Sequence, residues 1–124
     1  MKNSPKITES EWLIMKVLWK KHPLTSTEVI DSLKEDSTWS TTTIHTFISR
    51  LVKKGAVGVI KESKVYKYYP IILEEQFREE ETKTLINKIY DGSQKLFLKY
   101  FINDIDLTNE DIEDLKKMLE EKQN

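Results

Sequence analysis

Residues 39–55 read W-S-T-T-T-I-H-T-F-I-S-R-L-V-K-K-G, and the fold turns on how this stretch is read. Ile44, Phe47, Ile48, Leu51 and Val52 recur at i, i+3, i+4, i+7 and i+8. That spacing draws one apolar stripe along an α-helix, whereas a half-buried strand would alternate at every second residue. Ser40 offers a hydroxyl to the unpaired amides of the first turn, so it is the expected N-cap. Gly55, after Lys53 and Lys54, stands where a left-handed residue ends a helix. The face opposite the stripe carries Thr42, Thr46, Ser49 and Lys53, flanked by His45 and Arg50. It holds hydroxyls and cations but no carboxylate. A solvated helix face normally mixes both signs, and a polyanionic partner would account for the bias. A Thr-rich exposed face without a partner is the alternative, and this segment alone leaves both open.

The rest of the chain bears on that choice. Its 124 residues are enough for one ordinary core and an appended module, and the absence of cysteine excludes disulfides and thiolate metal sites. The formal net charge of −1 hides an asymmetry: residues 1–73 hold 12 Lys+Arg against 7 Asp+Glu, net +5, and residues 74–124 hold 8 against 14, net −6. A basic first part that faces phosphates is thus joined to an acidic part with another task. No apolar run approaches the ~20 residues of a membrane span, and the start M-K-N-S-P-K-I-T has no signal-peptide core. A cytoplasmic protein with no membrane insertion is expected.

In chain order, Thr8 and Glu11 form a T-x-x-E capping box, followed by the broad apolar arc Trp12, Leu13, Ile14, Met15, Val17, Leu18 and Trp19. Pro23 discourages continuation past Lys20, Lys21 and His22. Thr25 to Glu28 is a second capping box, opening a short helix with Val29, Ile30 and Leu33 on one face. Glu35-Asp36-Ser37-Thr38 is a polar turn of the length expected between two angled helices. Helix, short helix, turn and acid-free helix is the order of a helix-turn-helix, whose second helix enters the major groove. Beyond Gly55, Val57, Val59 and Ile60 lead to a reversal at Lys61–Lys64, and Val65 to Tyr69 return as a second strand to Pro70. This hairpin is the expected wing, with Lys61, Lys64 and Lys67 at or near it and its tyrosines packed on the core.

From Leu73 the pattern is helical again, interrupted at Gly92-Ser93. Thr108 and Asp111 cap the last helix, with Leu107 and Ile112 placed as a hydrophobic staple. These helices are too few and too amphipathic to close a core alone, so a two-fold partner is expected to cover them. The fold class is therefore mainly α with a small β-hairpin: an N-terminal winged helix-turn-helix over residues 1–72 and a C-terminal helical dimerisation module over 73–124. The candidate dimer residues are Ile86, Ile89, Leu96, Phe97, Phe101, Ile112, Leu115, Met118 and Leu119.

I-T-E-S-E-W-L-I-M-K-V-L-W in the first helix, the 39–55 stretch, V-Y-K-Y-Y-P in the wing and D-L-T-N-E-D-I-E-D-L near the end resemble the BlaI/MecI family of penicillinase repressors. The resemblance implies a homodimeric winged-helix repressor that binds a palindromic operator upstream of β-lactam-resistance genes. It also implies derepression through a membrane sensor protease pathway, by cleavage in the C-terminal module. Thr43, Thr46 and Arg50 match the family's groove-facing positions. Thr41 and Thr42 stand where relatives often have Pro-Lys, and His45 where Arg or Gln is usual. Tyr100-Phe101 occupies the place of the family's Asn-Phe cleavage bond and is the candidate cleavage site. A related branch senses copper through a cysteine-rich tail, which this chain lacks.

The candidate DNA-binding residues are Thr42, Thr43, His45, Thr46, Ser49, Arg50, Lys53 and Lys64. The threonines can offer methyls to thymine, and Arg50 and Lys53, in the later turns, suit phosphates. No cofactor and no metal site are expected, because His22 and His45 have no partners at ligand spacing. A nucleophile with an evident base and a Gly-rich phosphate loop are both missing, so an enzyme is not expected. The rival readings are a winged helix that binds protein, a repressor induced by a different signal, and a small-effector sensor with a pocket at the dimer junction.

Overall fold

The structure is a computed structural model, and it describes residues 5–34 and 38–124. The polar turn expected over Glu35–Thr38 lies, up to Ser37, outside the described residues.

Three helices and a small sheet make the first unit: α1 (Glu9–Lys20), β1 (Leu24–Thr25), α2 (Ser26–Leu33), α3 (Thr41–Lys54), β2 (Val57–Ile60) and β3 (Lys67–Pro70). Each helix begins where a side chain can satisfy its orphan amides. Thr8 accepts from the Glu11 amide at 3.2 Å while Glu11 Oε1 accepts from the Thr8 amide at 3.0 Å. Thr25 and Glu28 repeat the exchange at 3.1 and 2.9 Å. Ser40 accepts from the Thr43 amide at 3.2 Å. Gly55 ends α3 at φ 83°, a left-handed conformation that a Cβ would strain.

The apolar stripes meet in one core. Ile14, Met15 and Leu18 of α1, Val29 and Leu33 of α2, and Ile44, Ile48 and Leu51 of α3 are buried with Leu24, Ala56, Val57 and Ile72. Trp19 Nε1 donates to the Ile72 carbonyl at 2.8 Å, and its ring lies 5.4 Å from that of Phe77. Leu13, Val17, Trp39 and Phe47 pack around this core, half-buried.

Four features depart from the sequence expectation. The wing is part of a three-stranded antiparallel sheet of order β1-β3-β2, with Leu24 opposite Tyr68 and Ile60 opposite Lys67. A two-residue strand is too short to show a period. The return strand starts at Lys67, so Val65 and Tyr66 belong to the turn and are exposed. Only Tyr68 packs on the core; Tyr69 lies across Gly58 on the outer side, where an added Cβ would stand 2.2 Å from its Cζ. Trp12 is 40 % exposed, with Lys16 Nζ 4.8 Å from its ring centre, because α1 buries only the stripe through Glu11, Ile14, Met15 and Leu18.

The chain divides into compact units at Glu80 and Glu81, inside α4 (Glu74–Ile89). The first turn of α4 goes with the first unit through Phe77, which places this division beyond residue 72. The second unit continues through α5 (Gln94–Asp104) and α6 (Asn109–Gln123). Asp91 at φ 52° and Gly92 at φ 82° form the link, after which Ser93 caps α5. Thr108 and Asp111 close a capping box on α6. Tyr90 meets the Phe97 ring edge-on, 5.4 Å between centres, and Phe97 stacks on Phe101 at 5.9 Å. No residue of α4, α5 or α6 is fully buried. Among the described residues, no helix is long and apolar enough to cross a membrane.

Candidate nucleic-acid interface

The period that buries Ile44, Ile48 and Leu51 also decides what α3 shows to solvent. Thr42, His45, Thr46, Ser49, Arg50 and Lys53 line one shallow depression on its outer face, and all six are exposed. Arg50 and Lys53 make no hydrogen bond or ion pair with any described residue, so this face carries positive charge without internal compensation. Such a surface attracts phosphates and releases their counterions on binding.

The hydroxyls are less available than the sequence suggests. Thr46 Oγ1 donates to the Thr42 carbonyl at 3.0 Å. Thr43 is half-buried and its hydroxyl lies 2.9 Å from that of Ser40, within the N-cap. Thr43 is thus outside the depression, and so is Lys64, which belongs to the loop between β2 and β3. Lys61 Nζ stands 5.3 Å from the Tyr66 ring centre on that loop.

Lys54 differs from its neighbour Lys53. Its ammonium turns inward, donating to the Lys6 carbonyl at 3.0 Å and pairing with Glu11, which is 1 % exposed. Burial works to raise the Glu11 carboxyl, but hydrogen bonds from Lys54 and Thr8 and the Lys54 charge outweigh it, holding the group below the usual carboxylate range. Glu11 therefore stays charged and fastens the C-terminal end of α3 to the start of α1. Its other oxygen, Oε2, is buried without a described partner. From sequence, Glu11 was legible only as a capping residue, because its second partner lies far along the chain.

A helix-turn-helix with a winged sheet and a cationic outer face on α3, without an ion pair among the described residues, defines the class of winged-helix proteins of nucleic-acid type. The comparisons narrow this. The profile of the family described as Penicillinase repressor matches residues 7–121, and the chain belongs to that family, one of transcriptional repressors and not of enzymes. The chain is 38 % identical over 124 residues to the penicillinase repressor of Bacillus licheniformis, covering 100 % of this chain and 97 % of the relative. It is 32 % identical over 116 residues to the methicillin resistance regulatory protein MecI of Staphylococcus aureus (strain N315), covering 94 % of each. It is also similar to the solution structure of monomeric Bacillus licheniformis BlaI in complex with the blaP half-operator. There the identity is 45 % and the TM-score 0.54, over 61 % of this chain and 93 % of the other.

Proposed function

We propose that this protein is a homodimeric transcriptional repressor that binds a palindromic operator upstream of β-lactam-resistance genes and acts in the cytoplasm. The observation that carries the reading is the exposed face of Thr42, His45, Thr46, Ser49, Arg50 and Lys53, whose two strong cations form no ion pair with any described residue. The full-length likeness to a penicillinase repressor supports the regulon. Residues 1–72 read DNA and 73–124 dimerise. Two copies related by a dyad would set their α3 helices in successive major grooves, about 34 Å apart on one face of the duplex. Thr42 and Thr46 face bases, and Arg50, Lys53 and the wing Lys64 face phosphates.

Release follows proteolysis of the C-terminal module in a membrane sensor protease pathway, with Tyr100-Phe101 as the candidate bond. Both side chains are about half exposed, at 51 % and 50 %, but the bond lies within α5. A protease takes an extended substrate, so α5 must open locally before cleavage.

Gel-shift titration against the protein's own promoter at rising salt tests the reading. Binding that weakens steeply with salt and needs dyad symmetry is expected; binding indifferent to both would overturn it. The double reversal Arg50→Glu with Lys53→Glu should abolish the shift while leaving the fold intact.

A further inference from the structure

Arg50 is a long side chain on an open surface, with an aromatic ring within cation–π reach. Its Cζ lies 6.0 Å from the centre of the Phe47 ring, one helical turn earlier. Phe47 is itself fixed. It packs against the buried core on one side and takes the ring of Trp39 edge-on, 5.0 Å between centres at 73°. Trp39 stands immediately before the N-cap Ser40, so a column of two rings runs from the entry of α3 to the guanidinium. Lys53 lines the same depression without such a platform.

We propose that Phe47, backed by Trp39, is a positioning residue that holds the Arg50 guanidinium ready for a DNA phosphate. The inference rests on the DNA-binding reading above and adds how the site gains its geometry. A guanidinium held near a ring face by the cation–π attraction keeps donors free for a phosphate while giving up part of its freedom before DNA arrives. The entropy of ordering that side chain then need not be lost on binding. In this proposal Phe47, packed against the core, acts through Arg50.

The test is a double-mutant cycle on a dyad-symmetric duplex selected from random sequence by the wild-type protein. Phe47→Leu should weaken binding about two- to five-fold, the size of an exposed cation–π contact, with an unchanged salt slope because no charge is lost. In an Arg50→Met background the same change should do nothing further, and Phe47→Tyr should bind as the wild type does. Equal losses from Phe47→Leu in both backgrounds would show a merely structural role and overturn the inference. Thermal unfolding checks that each variant folds, and Phe47→Met, whose flexible chain adapts to the gap without a ring, replaces Phe47→Leu if it does not. A wild-type chain that selects no duplex would overturn the DNA-binding reading as well, whereas additive losses on a duplex that binds would overturn this inference alone.

Discussion

Thr46 donates its hydroxyl proton to the Thr42 carbonyl, so the group it has left for a base edge is chiefly its methyl. A methyl reads the C5-methyl of thymine by apolar contact and carries no donor code. On a selected duplex, Thr46→Val should therefore bind within about two-fold of the wild type, while Thr46→Ser should lose affinity. Replacing the contacted thymine by uracil should weaken the wild-type protein but not Thr46→Ser; equal sensitivity of the two would exclude the methyl contact. Glu11 allows a prediction of a different kind. Its folded carboxyl sits below its ordinary value, so its contribution to stability is complete above the unfolded carboxylate pKa, about 4.3, and is lost as pH falls through the lower folded value. The stability gap between wild type and Glu11→Gln should accordingly close as pH is lowered from about 6 toward 3, followed by thermal melts. A gap that widened in acid would mean that Glu11 is not held as a carboxylate.

At the scale of elements, adjacent lysines at the end of α3 have opposite duties. Lys53 faces the depression, while Lys54, 31 % exposed, binds Glu11 and the Lys6 carbonyl and so ties α3 to α1. Lys53→Met should reduce the salt slope of DNA binding by about one ion with little change in melting temperature. Lys54→Met should leave the slope nearly alone and cost about 3 kcal/mol of stability, at the low end for a broken buried pair because Lys54 keeps some water. Both are read from the same pair of titrations, and interchange of the two outcomes would refute the assignment. The lysine pair also marks how far the sequence was legible. Caps and stripes are local, so the bounds of α1, α2 and α3 followed from Thr8, Thr25, Ser40 and Gly55. The Lys54–Glu11 tie, the strand at Leu24–Thr25 and the Arg50 platform depend on partners brought close only by the fold, or on runs too short to show a period. The exposed face of α3 was legible as a pattern, but not that the Thr46 hydroxyl was already engaged, nor that Thr43 was drawn into the N-cap.

For the whole molecule, the unsettled surface is on the second unit. Ile89, Phe101, Ile112, Leu115, Met118 and Leu119 are exposed, Met118 and Leu119 at 62 % and 63 %, while Ile86, Leu96 and Phe97 are half-buried. Monomeric proteins seldom leave so many large apolar groups in water, and a two-fold partner would cover the same residues on both copies. The proposed division of labour then makes DNA affinity depend on this surface through valency: the second half-site is met at a high effective concentration only while the copies are joined. Met118→Glu with Leu119→Lys should shift the protein to monomer in sedimentation equilibrium without altering the melting of the winged helix. Binding to the full palindrome should fall by roughly 100-fold or more, while binding to a single half-site stays the same. A variant that turned monomeric yet kept full affinity for the palindrome would show that the two halves of the operator are read independently, and the C-terminal helices would need another purpose.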